Sequence, residues 1–146
     1  MKRLLIILSP LLLLLQGCEF DDISNFELMD PTGVEVQLQW QLLESLADPI
    51  DQANLDLRAT RNGAVVEFST LDFNFESVQL INQPNGIYDL EVTYFEGNVD
   101  LEFFITITGL SSGTQLSTSG VLRASDSGIT IIPISIFKSG NTFELN

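Results

Sequence analysis

The feature that most constrains the fold of this chain is a period-two alternation of apolar and polar residues. From Val34 onward, apolar residues alternate with Glu35 and a series of glutamines. Such a pattern is typical of a β-strand with one buried face and one wet face, and a helical period is almost absent. The alternating apolar positions of the three clearest segments are Val34, Val36, Leu38, Trp40 and Leu42; Leu90, Val92 and Tyr94; and Val99, Leu101, Phe103, Ile105 and Ile107.

Turn signals separate these segments at intervals suited to an all-β domain. Asn62-Gly63 favours a type I′ hairpin, and three further turns fall at Pro84-Asn85-Gly86, Glu96-Gly97-Asn98 and Ser139-Gly140-Asn141. We therefore predict an all-β fold, a single antiparallel β-sandwich or jelly roll of eight or nine strands. The strands are expected near 34–43, 54–61, 64–70, 75–82, 87–95, 99–108, 115–122 and 129–138, with a possible short one near 26–29.

Two places break the alternation. The apolar parity changes between Phe75 and Val78, which predicts a bulge or a loop near Glu76-Ser77. The phase shifts again between residues 129 and 136, where Pro133 cannot donate to a ladder. This segment is expected to be an edge strand or a bulged one.

The first 17 residues have the composition of a cleaved signal peptide. Lys2 and Arg3 precede an apolar stretch at 4–15, and Cys18 follows Leu15-Gln16-Gly17. The twelve residues of that stretch are too few to span a bilayer, which needs about 20. A soluble secreted protein cut elsewhere and an uncleaved anchor remain the alternatives. The sequence therefore predicts three segments in this chain: a signal peptide at 1–17, an acidic tether at 18–25 and one domain at 26–146.

The tetrapeptide ending at Cys18 resembles the lipobox of bacterial lipoproteins. The resemblance implies cleavage before Cys18 and attachment of diacylglycerol and of a further acyl chain such as palmitate. Glu19, in place of an aspartate, favours the outer membrane in that family, on either its periplasmic or its external side. Two or three acyl chains give durable membrane anchoring.

The charge of the chain excludes several partners. The net charge is −14, and removal of Lys2 and Arg3 leaves 4 basic and 20 acidic residues, or −16. Such a surface repels phosphate backbones and anionic headgroups. We therefore expect no nucleic-acid partner, and membrane contact through the lipid anchor alone.

The composition also excludes most catalytic chemistry. The chain has no histidine, and its single cysteine is assigned to the lipid. Serine–histidine catalysis and histidine-ligated zinc are therefore impossible, and only carboxylate pairs remain for acid–base work. Most acids fall at the strand positions that are predicted to face solvent, which favours a solvated surface over a catalytic pair. The chain is therefore not expected to be an enzyme.

One stretch concentrates oxygen ligands. Asp48, Asp51, Asn54 and Asp56 lie at the entry to a predicted strand, and calcium takes six to eight oxygens from such loops. These four residues are the candidate metal site, and calcium is the only cofactor predicted. The alternative is that Asp48-Pro49 marks a turn.

Most aromatic residues are predicted to pack in the core and not to form a ligand-binding surface. Trp40 lies centrally in the longest alternating strand, and most phenylalanines are expected inside the domain. Phe104 is the exception, because it falls on the wet parity of its strand and can mark a contact patch. The phenylalanines expected in the core are Phe68, Phe73, Phe75, Phe95 and Phe103.

Residues 34–108 resemble the bacterial pre-peptidase C-terminal domain, a small jelly roll appended to secreted peptidases. The matching elements are Asn54-Leu55-Asp56-Leu57, Asn62-Gly63, Ser69, Glu76, Val78 and Gly86-Ile87-Tyr88-Asp89-Leu90-Glu91-Val92. The resemblance implies a sandwich fold, and some relatives bind calcium or fibrous substrates. Asn54 replaces the first aspartate of that family's motif, and residues 109–146 are unmatched.

Together these features predict a membrane-anchored, noncatalytic binding or accessory module of the bacterial envelope that recognises a protein or a glycan. The alternative is a structural subunit or inhibitor that docks an envelope protein through its acidic surface.

Overall fold

A computed structural model describes residues 26–43, 52–71 and 73–146. In that part of the chain, no helix is long and apolar enough to cross a bilayer. The strands are β1 (Glu27–Met29), β2 (Gly33–Leu42), β3 (Ala53–Arg61), β4 (Ala64–Ser69), β5 (Phe75–Ile81), β6 (Gly86–Gly97), β7 (Leu101–Gly109), β8 (Gln115–Leu122), β9 (Thr130–Ser139) and β10 (Thr142–Leu145), with one 3-10 turn at Ala124–Asp126.

The strands form two antiparallel sheets packed as a β-sandwich, as the alternation predicts. One sheet has six strands in the order β1-β10-β9-β6-β3-β4, and the other has four in the order β5-β2-β7-β8. Asn62 and Gly63 both have positive φ, 52° and 76°, as a type I′ hairpin requires between β3 and β4. The tenth strand, β10, was not expected, because only Phe143 and Leu145 mark its alternation.

The core lies between the inner faces of the two sheets. Trp40 is 2% exposed, and its indole N–H points to the carbonyl oxygen of Ala53 at 3.4 Å. The expected burial of Trp40 is therefore confirmed. The largest fully buried side chains are Tyr88, Tyr94, Phe143, Leu28, Leu38, Leu55, Leu57, Leu80, Leu90, Leu101, Ile105 and Ile107.

The segment around Pro133 is bulged, and it also lies at a local edge of the sheet. β9 pairs with β6 from Thr130 to Lys138, whereas its other side, among the described residues, pairs with the C-terminal segment only from Ser135 to Ser139. Its register shifts from Leu90↔Ile134 to Val92↔Ile131, so Ile132 and Pro133 together lie opposite Glu91. The bulge places the missing proline N–H where the ladder is already interrupted.

The prediction of a bulge or a loop near Glu76-Ser77 was wrong, because both residues lie inside the regular strand β5. β4 ends at Ser69 and β5 begins at Phe75, after which β5 pairs with β2 without a shift. Glu76 occupies an inward position and is fully buried, and its Oε1 accepts the Leu71 N–H at 2.6 Å. Because the acidic Glu76 takes an inward position and the apolar Phe75 an outward one, the sequence pattern does not show which residues of β5 enter the core.

Candidate ligand-binding face

Amides and hydroxyls make up most of the outer face of the four-stranded sheet. We call it the amide–hydroxyl face. Because inward positions alternate with outward ones, every second residue of β5, β2, β7 and β8 belongs to it. Its members are Phe75, Ser77, Gln79 and Ile81; Glu35, Gln37, Gln39 and Gln41; Glu102, Phe104, Thr106 and Thr108; and Gln115, Ser117, Ser119 and Val121.

Unbroken strand registers align these side chains into rows that run across the sheet. β2 pairs with β5 and β7, and β7 pairs with β8, in each case without a bulge. The surface is therefore a regular grid. Its three complete rows are Gln79-Glu35-Thr108-Gln115, Ser77-Gln37-Thr106-Ser117 and Phe75-Gln39-Phe104-Ser119.

Glu35 organises the first two rows. Its carboxylate accepts the Gln37 amide at 2.9 Å, the Ser77 hydroxyl at 3.0 Å and the Gln79 amide at 3.5 Å. These bonds direct one N–H of each amide toward the carboxylate. The amide oxygens and the remaining N–H groups stay available to a ligand.

The other rows hold similar contacts. Gln41 donates to Glu102 at 3.0 Å, and Gln115 donates to Thr108 at 3.2 Å. The hydroxyls of Thr106 and Ser117 lie 3.1 Å apart. Since many of its members bind one another, the face is ordered before any ligand arrives.

Two phenylalanines interrupt this polar grid in a single row. Phe75 and Phe104 lie on either side of Gln39, and both are half-buried. The predicted outward position of Phe104 is confirmed, and its role in a contact patch stays a prediction. Each phenylalanine provides an apolar patch beside an exposed amide.

The outer face of the six-stranded sheet differs in charge. It carries more acids than the amide–hydroxyl face, whose only charged members are Glu35 and Glu102. We call it the acidic face. Its carboxylates are those of Glu27, Asp56, Asp89, Glu91, Glu96 and Glu144, and Arg58 shares the face with them.

The structure describes two of the four candidate calcium ligands, Asn54 and Asp56. Asp48 and Asp51 lie outside the described residues. Asn54 and Asp56 alternate with inward residues of β3 and so share one side of the sheet. Asp56 is buried there, and Asn54 Oδ1 is buried without a hydrogen-bond partner among the described residues. Within the described ranges, no cluster of three or more acidic, histidine or cysteine side chains could hold a metal.

A cleft of about 620 Å³ adjoins Asn54. Phe95, Glu96, Asn98 and Ser127 line it. Phe95 lies at a bulge of β6, where the register steps from Asn54↔Glu96 to Leu55↔Tyr94. Calcium at this end of the sandwich remains a prediction.

Asp30 is a buried carboxylate with a structural role. Burial raises its pKa, but hydrogen bonds from the backbone of Ser112, Ser111 and Thr32 hold that pKa well below its usual range. The Gly33 N–H and the Ser111 hydroxyl also bind it, at 3.1 and 2.9 Å. Asp30 therefore ties the start of β2 to the β7–β8 turn and has no spare capacity for proton transfer.

Three of the phenylalanines assigned to the core are exposed, so those predictions were wrong. Phe68, Phe73 and Phe95 are 65%, 60% and 61% exposed. Phe68 lies on β4, an edge strand, and Phe73 lies in the connection before β5. Phe103 is buried as expected, and Phe75 is half-buried.

No family model, curated protein or solved structure matches the chain. The function is therefore inferred from residues and geometry. Sequence reasoning identified the glutamines of β2 as wet positions but did not assign a site to them. The available signal was the run of alternate glutamines at 37, 39 and 41.

Proposed function

We propose that the chain is a lipid-anchored, noncatalytic binding module of the bacterial outer membrane, and that the amide–hydroxyl face is its recognition surface. The observation that carries this proposal is the ordered grid of uncharged hydrogen-bonding groups on a chain of net charge −14. Acidic residues are frequent elsewhere, so a face with two carboxylates is chemically distinct from the rest of the surface.

The two carboxylates of this face are too far apart for joint catalysis. Glu35 lies beside Thr108 and Glu102 lies beside Gln41, six residues along the same strands. Six residues of strand span about 20 Å. The paired carboxylates of glycoside hydrolases are about 5–9.5 Å apart, so this face suits binding and not glycoside hydrolysis.

The anchor follows from the lipobox resemblance, and Cys18 lies outside the described residues. The tether would enter the domain at β1, which is an edge strand of the six-stranded sheet. The amide–hydroxyl face belongs to the other sheet, which supports its accessibility to an envelope ligand in an anchored molecule.

The anchor is tested with Cys18→Ser. Wild-type protein should carry an acylated Cys18 as its amino terminus, and the variant should be neither lipidated nor processed at that position. Intact-mass measurement and membrane fractionation decide this. A wild-type amino terminus other than acylated Cys18 would refute the localisation.

The recognition surface is tested with soluble protein that begins at residue 19. Binding to isolated cell-envelope material should fall in a Gln39→Ala/Phe104→Ala variant. It should be unchanged in a matched control, Phe68→Ala/Ile87→Ala, whose side chains are exposed on the other sheet. Equal binding by the two variants would refute this assignment.

A second candidate is a subunit or inhibitor that docks an envelope protein through the acidic face. The observation that favours it is the pair Ile87 and Phe137, which lie opposite each other on that face with Ile87 55% exposed. Stoichiometric co-purification from mildly solubilised membranes, lost in a Glu27→Lys/Glu144→Lys variant, would support it. These two residues face each other across β1 and β10.

A further inference from the structure

We infer that the ligand of the amide–hydroxyl face is an uncharged linear glycan that lies across the strands, along the row Phe75-Gln39-Phe104-Ser119. This inference rests on the proposed function and specifies its ligand. It is carried by three properties of the face: the type of its hydrogen-bonding groups, the placement of its two aromatic rings and its low charge.

The hydrogen-bonding groups suit a polyhydroxylated ligand. A sugar hydroxyl donates one hydrogen bond and accepts others, and an amide or a serine hydroxyl can do both as well. Gln39 and Ser119 are exposed members of the row. Gln37, in the adjacent row, is directed by Glu35 through the 2.9 Å bond, which reduces the entropy lost when a ligand binds.

The aromatic rings suit the apolar sides of sugar rings. β2 separates Phe75 on β5 from Phe104 on β7, so their backbones are two strand spacings, or about 10 Å, apart. A chain crossing the strands can place the C–H face of one sugar over each phenyl ring. The Gln39 amide lies between the two phenyl rings, where it can bind hydroxyls of the intervening part of the glycan.

The two carboxylates and the half-buried aromatic rings argue against the competing ligands. Glu35 and Glu102 would repel uronic acids, phosphates and nucleic acids. Protein interfaces depend on aromatic or arginine anchors in desolvated pockets, whereas both phenylalanines of the row are only half-buried on a regular grid. A neutral glycan needs neither charge nor a deep pocket.

The probes are neutral polysaccharides: insoluble cellulose and chitin, and soluble galactomannan, xyloglucan and mixed-linkage glucan. Polygalacturonate serves as the anionic control. Binding is measured by co-sedimentation and by affinity electrophoresis of the protein that begins at residue 19. We expect at least one neutral polysaccharide to bind, with an affinity that high salt leaves unchanged because no charge pairing is involved.

Variants then locate the contact. Gln39→Ala and Phe104→Ala should each weaken binding by about tenfold, which is 1.4 kcal/mol. Phe68→Ala should have no effect, because Phe68 is exposed on the edge of the other sheet. If Phe104→Ala fails to fold, Phe104→Leu keeps an apolar side chain, removes the ring and should still weaken binding.

The inference fails if no neutral polysaccharide binds, if only polygalacturonate binds, or if the row variants bind like wild type. Hydrogen exchange with isolated envelope material separates this failure from that of the proposed function. Protection of β2 and β7 without binding of any neutral glycan would overturn the glycan inference but would support the proposed recognition surface. If neither protection nor glycan binding is seen, both the inference and the proposed recognition surface fail.

Discussion

Tyr88 and Tyr94 secure the two ends of β6 from inside the core. Both rings point inward from this strand, and both are fully buried. The Tyr88 hydroxyl donates to the carbonyl of Pro84; at the other end, the Tyr94 hydroxyl donates to the Val99 carbonyl at 2.9 Å and accepts the Val99 N–H at 3.2 Å. Each tyrosine thus fixes a connection that carries the chain from one sheet to the other.

Tyr94→Phe should destabilise the domain more than Tyr88→Phe. The first variant leaves both the N–H and the carbonyl of Val99 without a partner, whereas the second releases the Pro84 carbonyl alone. Each buried group left without a partner costs about 1–3 kcal/mol. Urea unfolding of the two variants checks the order, and an equal or reversed effect would contradict the assigned role of Tyr94.

Asp30→Asn should lower the free energy of unfolding by about 2–4 kcal/mol at neutral pH, because bonds to a charged acceptor are each worth about 1.5–3 kcal/mol. The pKa of Asp30 is lower in the folded state than in the unfolded chain. Its stabilising effect is therefore present above the unfolded value of about 3.9 and is lost as the pH falls toward the depressed native pKa.

The measurement is urea unfolding of wild type and Asp30→Asn from neutral pH down to about pH 2, with exposed Glu144→Gln as the control. The difference between wild type and Asp30→Asn should shrink below about pH 4. A constant difference over the whole range would contradict a depressed native pKa.

Trp40→Ala should cost about 3–5 kcal/mol of unfolding free energy, the range for truncating a large buried aromatic. Trp40 is the only tryptophan, so the fluorescence of the wild type should shift to the red on unfolding. Phe68→Ala is the matched control, and its effect should stay within about 0.5 kcal/mol because its side chain is exposed. Similar losses in the two variants would contradict the burial of Trp40.

Calcium should raise the melting temperature if Asp48, Asp51, Asn54 and Asp56 form a site. An ion bound by the native state alone adds about 2.7 kcal/mol at a hundredfold excess over its Kd. Magnesium at equal ionic strength and an Asp51→Asn/Asp56→Asn variant control for charge screening. Equal stabilisation by both metals, or of variant and wild type, would remove this site.

The fold could be predicted because strand alternation is a local property. The parity of Val34 to Leu42 indicates which residues enter the core, and Asn62-Gly63 specifies its turn through backbone conformations that few residues adopt. The prediction failed at Phe68 and Phe95, whose surroundings depend on an edge strand and on a bulge. Neither feature can be read from the residues beside them.

The sequence by itself determined that this domain is a two-layered β-structure, since only sheets bury every second residue. It also determined the surplus of acid and the absence of histidine and of any cysteine besides Cys18. Only the tertiary structure decided that Phe75, Gln39, Phe104 and Ser119 form one row. The physical reason is that β2 pairs with β5 and β7 across long stretches of chain, and register is set by packing of the whole core.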